Sequence, residues 1–131
     1  MSQDAEIRAL TDRAAIHDVI MRFSRGLDRL DEALLASCFH EDSYDDHGHF
    51  IGTGAEFAAF IVPSLRKRAD HTMHSVCNVL IEMDAQESDQ ARVESYVVAY
   101  LKRTNADGAP VIDVFAGRYV DRFARRDGEW R

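Results

Sequence analysis

Three long extended runs fill the C-terminal half of the chain, at about 71–84, 90–104 and 111–124, and the segments between them are too short to hold a crossover helix. Strands joined this closely run antiparallel. Asp84–Asp89 supplies the first connection. The second, Asn105-Ala106-Asp107-Gly108, carries a strong hairpin signal. An antiparallel meander of this length needs a cover on one face, and the N-terminal half supplies it as helices.

Residues 4–28 read as one amphipathic helix, with Ile7, Leu10, Ala14, Val19, Ile20, Phe23 and Leu27 near helical spacing. Ser2 or Asp4 suits its start, and Gly26 weakens its end. Asp31 reads as the N-cap of a short second helix over 32–39, with Leu34, Leu35 and Phe39 turned inward. Asp45-Asp46-His47-Gly48 reads as a hairpin turn. A third helix follows at about 54–68, with Phe57, Phe60, Ile61 and Leu65 on one face. Pro63 inside it predicts a kink or an early end. The expected fold class is therefore α+β: a cone-shaped barrel whose curved, mostly antiparallel sheet wraps around N-terminal helices, as one domain over 1–131. The space left between helices and sheet becomes a pocket suited to a small molecule.

Apolar residues make up 46% of the 131. A domain of this size buries roughly two-thirds of its unfolded surface, so it needs no staples. The net charge of -7 and scattered basic residues exclude nucleic acid as a partner. No apolar run is long enough for a membrane span, and the expected location is the cytoplasm. Cys38 and Cys77 lack metal or redox spacing and read as two free thiols. No motif calls for a cofactor, and none is expected.

Two distant residues carry the chemistry. Asp28 closes the first helix and His74 opens the first long strand. An acid at a helix C-terminus opposes the helix dipole, which hints at another purpose. If the fold brings them together, the carboxylate holds the imidazole in one tautomer and makes it a general base. Against this stand a hydrogen-bonded strand histidine and a surface carboxylate. Regular alternation places Thr72, His74, Val76, Asn78 and Leu80 on the pocket face, and His71, Met73, Ser75, Cys77 and Val79 on the other. Asn78 either orients substrate or satisfies backbone; His71 reads as surface or interface. Met21, Phe23, Phe57, Phe60, Phe115 and Tyr119 read as core and pocket wall. His47 and His49 raise the question of a metal, but Gly48 marks a turn that exposes both rings. The expectation there is a solvated turn and no metal.

Three stretches resemble the SnoaL-like branch of the nuclear-transport-factor-2-like superfamily: Arg22-Phe23-Ser24-Arg25-Gly26-Leu27-Asp28-Arg29-Leu30-Asp31 with Cys38-Phe39-His40-Glu41-Asp42; His74-Ser75-Val76-Cys77-Asn78; and Tyr119-Val120-Asp121-Arg122-Phe123 with Arg126-Asp127-Gly128-Glu129-Trp130-Arg131. Within it, Asp28 and His74 match scytalone dehydratase-like and hexachlorocyclohexane dehydrochlorinase-like enzymes. The resemblance implies that His74 removes a proton and Asp28 orients it. It implies a cofactor-independent lyase of dehydratase type, acting by β-elimination on a small hydrophobic, cyclic or aromatic hydroxy compound. An isomerase or hydrolase built on the same dyad is a near neighbour. A non-catalytic ligand-binding or assembly domain is the competing class. The expected site is His74 and Asp28, with Phe23, Tyr44, Val76, Asn78, Phe57 and Phe115 around the substrate. Phe23 replaces a tyrosine that related dehydratases place five residues before the aspartate, so a phenol acid would come from Tyr44, Tyr96, Tyr100 or Tyr119. The family pattern continues through a last strand beyond Trp130-Arg131; either that strand is truncated here or its contribution is missing. Curved sheets of this family pair through their convex faces, and a homo-oligomer, dimer or trimer, is expected.

Overall fold

Helix α1 (Gln3–Asp28) starts where Ser2 Oγ accepts from the Ala5 N–H. The structure, a computed structural model, describes residues 2–131. α1 runs through Gly26 without breaking. A Cβ there would lie 3.1 Å from Leu35, so the glycine lets α2 (Glu32–Ala36) press against α1. Asp31 caps α2, which is shorter than the spacing predicts. A small hairpin follows, β1 (Asp45–Asp46) paired with β2 (Ile51–Gly52).

Helix α3 (Gly54–Arg68) opens with a reciprocal cap: Thr53 Oγ1 accepts from the Glu56 N–H, and a Glu56 oxygen accepts from the Thr53 N–H. The early end expected at Pro63 does not occur. The helix continues to Arg68, losing only the bond whose donor proline lacks. Gly54 is obligatory here, because a Cβ would fall 1.9 Å from the Phe39 ring.

β3 (His71–Met83), β4 (Gln90–Thr104), β5 (Pro110–Arg126) and β6 (Glu129–Trp130) form one antiparallel sheet in that order. Helices cover its concave side, where the expected α+β half-barrel holds two apolar clusters. One joins Ile16, Val19 and Ile20 of α1 to Val93, Phe123 and Trp130; the other joins Leu35, Phe57 and Ile61 to Ala99 and Leu101. Among the described residues, no helix is long and apolar enough to cross a membrane.

The regular alternation expected for β3 fails in its middle. Cys77 pairs with Tyr96 but Leu80 pairs with Glu94, so β3 carries one extra residue there. Asn78 absorbs it with φ of 49°. After this bulge Val79, Ile81 and Met83 pack inward, while Asn78 and Leu80 are exposed. Asn78 therefore does not share a face with His74.

Candidate active site

The end of α1 and the head of β3 meet. His74 Nδ1 donates to Asp28 Oδ1 at 2.7 Å, and the His74 backbone N–H lies 3.0 Å from both Asp28 oxygens. One carboxylate thus holds both the ring and the strand that carries it. Both side chains are mostly buried, the imidazole more so. With Nδ1 as the donor, Nε2 is left as the basic nitrogen.

A hollow of about 580 Å³ lies between α1, the β1–β2 hairpin and the concave face of β5. Phe23 and Tyr44 line it, as expected; Tyr44 stands largely exposed. Asp28 and His74 are not among its lining residues. Phe23, on the same helix as Asp28, and Tyr119 on β5 line the hollow, and these two rings meet edge to face at 5.6 Å. Tyr119 also lies within reach of the Asp28 charge. Asp28 borders a separate groove along α1, beside Arg25 and Arg29.

Four expected pocket residues stand elsewhere. Phe57 is fully buried and backs the wall, stacked on Phe23 at 6.2 Å and on His47 at 4.2 Å. Val76 packs against the core. Phe115 is exposed, level with His74 across the sheet through Ala99, and outside the lining. Asn78 is turned away by the bulge.

The structure brings other polar groups into the hollow. His47 is no solvated turn residue: its Nδ1 pairs with Asp45 Oδ2 at 2.8 Å, its ring lies flat on Phe57, and it lines the hollow. Tyr96 and Tyr100 are half-exposed and outside its lining, and beside the exposed Tyr44 the second phenol that lines the hollow is Tyr119. Burial, then the charges of Asp121, Asp28 and Asp45, push its pKa up to about 12, so it stays a neutral donor. Asp121 opens onto the hollow and water reaches it, yet protein walls it closely. Burial, and then the Asp45 carboxylate, raise its pKa to about 6, against the opposing pull of His47. Alternation on β5 could have found it: Asp121 lies between Tyr119 and Phe123 on the inward face. Among the described residues, no group of three or more His, Cys, Asp or Glu could hold a metal ion.

Residues 8–131 match the model of the SnoaL-like domain. No curated protein matches the sequence significantly. Solved structures share the fold. A candidate scytalone dehydratase from Novosphingobium aromaticivorans superposes with a TM-score of 0.80 at 24% identity, over 96% of this chain and 82% of its own. A hexachlorocyclohexane dehydrochlorinase, LinA-type3, from Novosphingobium barchaimii gives 0.78 at 23% identity, over 96% and 84%. A protein from Kribbella flavida gives 0.81 at 20% identity, over 94% and 86%. With helices at the N-terminus, a curled antiparallel sheet and a family match over nearly its whole length, this chain belongs to the SnoaL-like domain family.

Proposed function

We propose that the protein is a cofactor-independent lyase that removes water from a small cyclic or aromatic hydroxy compound. The observation that carries this reading is the 2.7 Å bond between Asp28 and His74 Nδ1, made by a carboxylate that also grips the His74 backbone. Asp28 keeps the proton on Nδ1, so Nε2 can take a proton from a carbon beside an activating group. Asp28 then supports the imidazolium that forms. The freed electron pair makes a double bond as the neighbouring C–O bond breaks. Positioned base catalysis of this kind is worth roughly 10²–10⁴-fold. The hollow would hold the ring of the substrate against Phe23 and Tyr119, with the acidic C–H directed past them toward His74; the bulk of these two side chains sets what shape fits. The names of the similar structures point to the same chemistry, since loss of water and loss of hydrogen chloride are both β-eliminations.

A panel of small cyclic alcohols and hydroxyketones tests this, with the new double bond followed by ultraviolet absorbance. Turnover by the wild type and its loss in a folded His74→Ala variant are expected. Equal activity in that variant rejects the assignment.

A second reading draws on the outer face of the sheet. Met73, Tyr96, Tyr100, Ile112 and Val114 are exposed there, an apolar surface suited to another copy of the chain. The protein would then assemble as a dimer or trimer, and light scattering on the purified chain reads this directly. A domain that only binds ligand or only assembles would keep this association and show no His74-dependent turnover.

A further inference from the structure

A base alone does not complete a dehydration. Hydroxide is a poor leaving group and needs a proton as it departs, whereas chloride leaves unaided. The hollow contains a cluster that the elimination base does not use. His47 is fixed twice, by its bond to Asp45 at 2.8 Å and by the Phe57 ring stacked on it at 4.2 Å and 7°. Its Nε2 has no hydrogen-bond partner among the described residues. Asp121 faces the same hollow from β5, close enough to feel the charges of both Asp45 and His47. Tyr119 completes this end, its ring 6.1 Å from that of His47.

We propose that Asp45, His47 and Asp121 form the acid end of the hollow, binding the departing oxygen of the substrate and returning a proton to it, so that the site favours a leaving hydroxyl over a halide. This deepens the lyase reading and rests on it. In the step, His74 Nε2 takes the C–H proton, and the electron pair of that bond forms the C=C bond. The C–O bond breaks with its pair going to oxygen. The Nε2 proton of a protonated His47 joins that oxygen, and water leaves. Asp45 accepts from Nδ1 throughout. The carboxyl proton of Asp121 reaches Nε2 through water in the hollow that both groups line, and Asp121 is reprotonated from that water. The proton held by His74 returns to solvent, so the balance is one hydroxy compound to one alkene and one water.

Phenol and chlorobenzene are matched ring probes for this end of the hollow. Their affinities for the full chain are measured by NMR, on the imidazole carbon–proton signals. Phenol is expected to bind ~10-fold more tightly, the effect of one well-placed hydrogen bond. The preference should collapse in Asp121→Asn and in His47→Gln, each first checked for native circular dichroism. It should survive in His74→Ala. Equal affinity for the two probes, binding of neither up to about 10 mM, or a preference that outlives both substitutions overturns the proposal. A preference that depends on His74 instead overturns it too. The lyase reading fails separately, through His74-independent turnover, so the two failures are told apart.

Discussion

Asp28 accepts from His74 twice, once from the ring at 2.7 Å and once from the backbone N–H of the same residue at 3.0 Å. The second contact ties α1 to β3 at the residue proposed as the base. Asp28→Asn keeps a side chain of the same shape but places an amide donor where the ring needs an acceptor. The ring then moves its proton to Nε2 and ceases to be a base. Turnover should fall by roughly 10²–10⁴-fold. Stability should drop by only about 1 kcal/mol, since the asparagine oxygen still accepts from the backbone. Steady-state kinetics beside a urea titration check both numbers.

Tyr119→Phe removes the one phenol that lines the hollow apart from the exposed Tyr44. With its pKa near 12 the phenol is neutral at every working pH, so the substitution takes away a donor and no charge. Substrate turnover should weaken by about 10-fold with an unchanged pH profile, as expected for one lost hydrogen bond. A shifted pH profile would count against a donor role.

Asp121 links the hollow to stability. Its pKa is about 6 in the fold, above the ordinary carboxylate value of 3.8. The folded state therefore binds the proton more tightly than the unfolded chain. This contribution is complete below about pH 4 and disappears as pH rises through about 6. Above that, an ionised Asp121 beside Asp45 is unfavourable, though water in the hollow screens it. Asp121→Asn should thus raise Tm by ~3 °C at pH 8 and change it little at pH 4. Thermal melts at the two pH values read the difference, and an equal gain at both contradicts it.

Ser95 is fully buried on β4, opposite Tyr119, and its hydroxyl has no partner among the described residues. Ser95→Ala removes an unsatisfied group and should be neutral or stabilising by about 1 kcal/mol. Gly54→Ala should do the opposite. Its new methyl would overlap the Phe39 ring, at a cost of about 1–3 kcal/mol or more. Denaturant midpoints measure both.

Much of this was legible in the sequence, because local patterns carried it. The strand bounds and the helix at 54–68 follow from periodicity, and the pairing of Asp28 with His74 follows from the resemblance and holds in the geometry. What escaped depends on contacts between distant residues. The bulge at Asn78 exists because β3 must match both halves of β4, and no residue in the run announces it. His47 looks like a turn residue until Phe57, from the next helix, stacks beneath it. Pro63 disfavours an isolated helix, but α3 continues to Arg68, with Ile61, Val62 and Leu65 buried on either side of the proline. The place of Asp121 at the hollow depends on Tyr44, Asp45 and His47 lining the opposite side of it.

The most direct test of His74 needs no native substrate. Cyclohexanone carries acidic protons beside its carbonyl, and their exchange in heavy water is followed by proton NMR. The wild type should speed this exchange at least ~10²-fold over His74→Ala, with Asp28→Asn close to the alanine variant. Identical exchange rates in the wild type and a folded His74→Ala protein would contradict a carboxylate-held imidazole as the base.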